Sequence, residues 1–249
     1  MNPDDHNPNG GLADAESAEA KSGVKKRSGK SHPTVVQVQA DPAQDLEWQK
    51  QFFSNHRLRT AQIPRRFWNK TLKNFETKDA LRRTLVRDAQ NFIKGFNFEN
   101  EFPQGLLMVG EVGCGKSHLA VAILREVIEK GYTGLYYNSP DLLRDIRATF
   151  HDDAEITEDD LLQEINEVDL LVLDDLGAEK VSDFVLDRFY LIVNKRYEGC
   201  KPMIITTNLT DEETLRNRLG DRIMSRFCEM CQFFKQFPRE DFRRRKMLE

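Results

Sequence analysis

Residues Gly110 to Ser117 read GEVGCGKS and match G-x-x-x-x-G-K-[ST] at every fixed position. Gly110, Gly113 and Gly115 leave the backbone clear, so that N–H groups can wrap a phosphate without intruding side chains. Glu111, Val112 and Cys114 complete the loop. Lys116 offers a point charge to β- and γ-phosphates, and Ser117 offers a hydroxyl to Mg²⁺. A second group lies at "LLVLDD", an apolar run that ends in two acids. Burying carboxylates is costly, so a buried strand carries Asp174 and Asp175 for a reason. Asp174 suits a Mg²⁺-holding acid, and Asp175 a group that orients and polarises an attacking water. The bland alternative is a pair of acids that merely ends a strand. Asn208 closes "MIITTN" and could hydrogen-bond a γ-phosphate or that water, or simply start the turn in "NLTDEE". These residue types point to ATP binding with Mg²⁺ and to hydrolysis.

Positioning these residues takes strands that end at one edge. "GLLMVG" reads as a strand and "GKSHLAVAILREVIEK" as a helix closed by Gly131; "TGLYYN" is the next strand. "SPDLLRDIRATF" is a helix with Ser139 as N-cap and Pro140 at its first position. "TEDDLLQEINE" is a second short helix, and "VDLLVLDDLG" a strand apolar enough for a parallel interior. "SDFVLDRFYLIVNKRYEG" is a helix, "KPMIITTN" a strand, and "TDEETLRNRLG" a helix with a capping box of Thr210 and Glu213. "CQFFKQF" is the last strand. Upstream, "KDALRRTLVRDAQNFIKGF" places Leu81, Leu85, Phe92 and Phe96 at helical spacing. This alternation predicts an α/β fold with a five-stranded parallel sheet flanked by helices. The extra strand "TGLYYN" leaves room for the Asn208 strand between the other two. That is the arrangement of ATPases that do mechanical or assembly work.

Bulk properties narrow the class. The chain has 249 residues and a net charge of −4, so wholesale coating of nucleic acid is not expected, although the late arginines could form a local stripe. No apolar run is long enough for a membrane span, and the polar start "MNPDDHNPNGG" is no signal peptide. The expected location is the cytoplasm, with no membrane contact. The four cysteines suggest no disulfide framework. The Cys228/Cys231 pair lacks a second ligand pair for zinc and is expected to be small buried side chains. Residues 1–40 are expected to be a disordered tail, 41–60 a short helical segment, and 61–249 the ATPase domain.

Seven stretches together carry a resemblance: "IPRRFWNKTLKNFE", "GEVGCGKSHLA", "VDLLVLDDLGAEK", "RFYLIVNKRYE", "MIITTNL", "LGDRIMSRF" and "EDFRRR". From about residue 60 onward the chain resembles the AAA+ ATPases of the DnaC/DnaI helicase-loader and IstB group. The resemblance implies that Asn208 is a sensor I residue. It implies that Arg226, with Arg222 beside it, is an arginine finger acting on a neighbouring subunit's ATP, and hence self-association. Arg243 would be sensor II, and a helical lid domain is expected to be missing or vestigial. The helices from Ser139 to about Glu167 would match an insertion that contacts single-stranded DNA, with Arg144, Arg147 and Phe150 as contact candidates. The implied function is loading a DnaB-type replicative helicase onto single-stranded DNA, residues 41–60 docking the helicase. The alternatives are an IstB-type transposase helper on duplex DNA, a DNA-binding adaptor that barely hydrolyses ATP, and, more remotely, a small-molecule kinase. The second Walker B acid is Asp175 where Glu is usual, which points to slow hydrolysis. Cys114 stands where Thr is frequent. No zinc-bound docking domain is implied.

Overall fold

A computed structural model describes residues 52, 54–98, 103–234 and 237–244. The expected tail, and the expected helical segment up to residue 51, lie outside the described residues; residues 54–60 are helical. A short 3₁₀ turn, Arg65–Phe67, precedes α1 (Ala80–Gly95). Then follow β1 (Gly105–Val109), α2 (Lys116–Glu129), β2 (Gly134–Asn138), α3 (Ser139–Ala148) and α4 (Glu158–Glu167). The remaining elements are β3 (Leu170–Asp174), α5 (Asp183–Glu198), β4 (Met203–Thr207), α6 (Glu212–Met230) and β5 (Cys231–Phe234).

The sheet order is β2-β3-β4-β1-β5, and every neighbouring pair is parallel. This is the α/β P-loop fold of the AAA+ type, with the Asn208 strand between the P-loop strand and the strand of paired acids. The three central strands are buried along their whole length, which is why they read as unbroken apolar runs. Alternate residues divide between two cores. Leu106, Met108, Val172 and Ile204 pack under α1 and α2. Leu107, Leu171, Leu173 and Ile205 pack under α3 to α6. Because all strands run one way, the carboxyl ends that carry Gly110, Asp174 and Asn208 share one edge.

Several local expectations change. Asn138, not Ser139, occupies the N-cap of α3. The Ser139 hydroxyl is engaged elsewhere, donating 3.1 Å to the Asp174 carbonyl. In α6 the cap is Asp211, whose carboxylate accepts from Thr214 N–H at 2.7 Å, so Thr210 and Glu213 form no capping box. Along α1 the buried face is Leu85, Ala89 and Ile93, while Leu81 and Phe92 lie at its margin. Cys231 is buried but Cys228 is exposed, because it faces outward from the last turn of α6.

One buried cation, Arg196 of α5, was not singled out by the sequence. Its guanidinium donates to the carbonyls of Ile165 and Pro202, each at 2.8 Å, and of Val168 at 3.1 Å. Those bonds tie α4 and the starts of β3 and β4 together at the edge of the sheet opposite the acids. Burial lowers its pKa to about 9.

Candidate nucleotide site

Each part of the site is set by a strand end. β1 leads into the loop, and its parallel pairing with β4 continues one step, Gly110 N–H donating to Thr207 O at 3.3 Å. Gly113 and Gly115 have φ of +78° and +106°, in the region that favours glycine. At Gly113 a Cβ would also meet Asp241 Oδ1 at 2.0 Å. Gly115 precedes α2, whose first turn carries neither a capping side chain nor an acid. The first N–H groups of that helix therefore have no side-chain acceptor, which suits a phosphate.

Lys116 is only 4 % exposed. Its ammonium donates to Gly110 O and Glu111 O at 2.7 and 2.8 Å, and to Asn208 Oδ1 at 2.7 Å. Burial lowers its pKa, while Cys114, Asp175 and Asp174 oppose that shift. Cys114 Sγ lies 3.8 Å from the ammonium, and burial raises its pKa.

Asp174 is fully buried, and both carboxylate oxygens are held. Tyr136 O–H donates to Oδ2 and Thr206 O–H to Oδ1, each at 2.6 Å. Thr206 also accepts from Asp175 N–H at 3.0 Å, so one hydroxyl fixes both acids. Asp175 sits at φ 56°, a left-handed turn that re-aims the chain as β3 ends. Asn208 Nδ2 donates to its Oδ1 at 3.4 Å. Burial and then the charge of Asp174 raise the Asp175 pKa; Lys116, Arg243 and the Asn208 hydrogen bond pull it back. Ser117 and Asp174 supply oxygen donors of the hard kind that Mg²⁺ prefers.

Val112, Gly113, Gly115, Lys116, Ser117, Asp175, Asn208 and Arg243 line one cleft of about 320 Å³. Its remaining wall was not legible in the motifs: Phe67, Lys70, Asn74, Phe75 and Glu76 before α1, His118 in α2, and Phe242. Phe75 stacks edge-on to His118, and His118 Nε2 lies 3.0 Å from both Thr71 O and Asn74 Oδ1. The segment 237–244 lies across the loop, with Phe242 N–H donating to Gly113 O at 3.2 Å. Asp241 accepts from Arg243 N–H at 2.9 Å.

Other candidates lie apart from the cleft. Arg226 is on α6, its guanidinium 4.2 Å from the Tyr197 ring and its Nε 3.3 Å from Asn194 Oδ1. Arg222 lies 5.8 Å from the Tyr190 ring of the same helix α5. Arg144 is paired on its own helix with Asp141 at 2.6 Å and Asp145 at 3.1 Å. Arg147 lies over Phe184, which meets Phe150 edge-on at 6.0 Å. The half-buried Phe184 and Arg188 join this group, which brings α5 beside the end of α3. Among the described residues, no group of three or more His, Cys, Asp or Glu could hold a metal ion, and no helix is long and apolar enough to cross a membrane.

A model of the family described as IstB-like ATP binding protein matches residues 12–233. The chain belongs to that family. This IstB-like chain is 29% identical over 160 residues to the replicative helicase loader DnaC of Buchnera aphidicola subsp. Schizaphis graminum, covering 64% of this chain and 63% of that protein. It is 33% identical over 117 residues to the replicative helicase loader DnaC of Escherichia coli K12, covering 47% of each. The IstB-like chain thus spans between about half and just under two thirds of the length of these relatives. A crystal structure of the DnaC helicase loader superposes with a TM-score of 0.62 at 30% identity, covering 69% of this chain and 98% of that one.

Proposed function

We propose that the protein is a Mg²⁺-dependent ATPase that loads a DnaB-type replicative hexameric helicase onto single-stranded DNA in the cytoplasm. The observation that carries it is the convergence of Lys116, Asp175, Asn208 and Arg243 on one cleft, from four separate parts of the chain. The likeness to helicase loaders points the same way.

In this reading Gly110 to Ser117 and the start of α2 cradle the phosphates, and Lys116 exchanges its carbonyl partners for phosphate oxygens. Ser117 and Asp174 would hold Mg²⁺, which would supply positive charge against the phosphates. Asp175 orients a water and accepts its proton, and Asn208 fixes Asp175 and Lys116 relative to one another. Arg243 approaches from the 237–244 segment. Arg226, outside the cleft of its own chain, serves a neighbour's site in an oligomer. Arg144, Arg147 and Phe150 contact single-stranded DNA, and residues 41–60 dock the helicase. Neither zinc nor a membrane takes part.

The test is co-purification of the tagged chain with its host's replicative helicase, with ATP and single-stranded DNA present. A complex that lets the helicase unwind a covered substrate, lost in Lys116→Ala, is the expected result. The family also bears the IstB name, which favours a second reading, a transposase helper acting on duplex DNA. Absence of a helicase complex, with tight duplex binding instead, would replace the first reading by the second.

A further inference from the structure

The chain is acidic overall, yet residues 54–75 contain no Asp or Glu and carry six basic residues, Arg57, Arg59, Arg65, Arg66, Lys70 and Lys73. Structure concentrates part of this charge around one exposed ring. The 3₁₀ turn presents Arg65 and Arg66 outward, and Trp68 directly after it is 53 % exposed. Arg65 lies 5.6 Å from the Trp68 ring. Arg125, reaching over from α2, donates to Trp68 O at 2.7 Å. The indole N–H is already committed, donating to Ile63 O at 2.8 Å. That bond fixes the ring's orientation and leaves it an aromatic face rather than a hydrogen-bond donor. Among the described residues, no ion pair involves Arg65, Arg66 or Arg125.

A preset aromatic face beside exposed guanidinium groups matches one chemistry well. Arginines track a phosphate backbone, and the ring stacks an unpaired base. Duplex DNA hides its base faces and would use only the charge. We infer that the turn Arg65–Trp68, with Arg125, is a second contact surface for single-stranded nucleic acid, separate from the group around Arg147 and Phe150. It deepens the loader reading and rests on it only for its biological setting.

Trp48 and Trp68 are the two tryptophans of the chain, so Trp48→Phe leaves Trp68 as the sole indole. The full-length variant is titrated, without helicase, with an oligo(dT) of about twenty nucleotides, and indole emission is followed with labelled-oligonucleotide anisotropy. A saturable quench, weakened by salt, is expected. Trp68→Ala should raise the Kd about tenfold, and Trp68→Phe less. Arg65→Ala with Arg66→Ala should raise it about fivefold or more and flatten the salt dependence. Binding of a fluorescent ATP analogue by these variants reports that they are folded. No quench, with affinity unchanged in the Trp68 and arginine variants, would overturn the inference. Equal quenching by a duplex would overturn its single-strand character. Loss of helicase binding alone in these variants, with oligonucleotide binding intact, would make the surface a protein contact instead. Failure of the wild-type chain to bind any helicase, with the quench intact, would defeat the loader reading and leave this surface standing.

Discussion

Lys116 and Asn208, 92 residues apart in the chain, meet through a 2.7 Å hydrogen bond from Nζ to Oδ1. The bond joins the phosphate loop after β1 to the tip of the neighbouring strand β4. Asn208 turns its other amide atom toward Asp175, so a single side chain contacts both the lysine and the second acid. Asn208→Ala should therefore lower ATP hydrolysis by about tenfold or more while changing ATP affinity by only about threefold. Equilibrium binding of a fluorescent ATP analogue beside steady-state phosphate release separates the two effects. Equal losses in both would show that Asn208 only supports binding.

Thr206 is expected to matter nearly as much, although it touches no ligand-facing space. Its hydroxyl donates to Asp174 and accepts from the Asp175 N–H, both within 3.0 Å. Thr206→Val keeps the shape and removes both bonds, leaving a buried carboxylate oxygen short of a partner. Stability should fall by about 1–3 kcal/mol, read by urea denaturation without nucleotide. Thr206→Ser should restore most of it.

Asp175 links pH to stability. Its folded pKa lies above the ordinary carboxylate value, chiefly through burial. Below the ordinary value the group is protonated in both states and the fold carries no penalty. As pH rises through the raised folded value, ionisation costs the folded state more than the unfolded one, and stability is lost. Asp175→Asn removes that cost, and Asn accepts the left-handed backbone. The variant should melt higher than wild type at neutral pH, the gain shrinking on acidification, while hydrolysis is abolished. Melting curves across pH 4–8 check the first expectation; a constant difference across that range would contradict it.

Arg82 and Glu240 form a pair at 2.6 Å between α1 and the segment that lies over the phosphate loop. Arg82 also lies 4.5 Å from the Phe242 ring and pairs with Asp79 at the start of its own helix. Through this anchor α1 places Arg243 at the cleft. Arg82→Met should weaken ATP binding severalfold, and little more when combined with Arg243→Ala, because both changes remove the same contact. Additive losses in that double-mutant cycle would mean that Arg82 acts on the fold alone.

Arg226 should be silent in an isolated subunit. Arg226→Ala is expected to leave ATP binding unchanged and to reduce the hydrolysis of assembled protein by about a hundredfold or more. Mixing Arg226→Ala with Lys116→Ala subunits should restore activity, because one supplies intact phosphate loops and the other intact arginines. No recovery on mixing would argue against action between subunits.

The sequence by itself determined the phosphate loop, the paired acids and the alternation of strands and helices. Those features depend on local rules: glycines where φ is positive, unbroken apolar runs where both sheet faces are covered, and Asp, Ser or Thr before helices. Even the place of β4 between β1 and β3 was legible from the extra strand. Where a helix started was less so, as Ser139 and Thr210 show, because a hydroxyl serves as a cap only when no tertiary partner claims it and its backbone is positioned to cap. Only the tertiary structure decided which polar residues hold the acids, Tyr136 and Thr206, since each lies on a different strand from its partner. It alone brought Phe75, His118 and Phe242 to the cleft wall and Phe184 beside Phe150. Such neighbourhoods arise from strand register and helix packing across long separations, where hydrophobic burial fixes which side chains meet and no local spacing records the result.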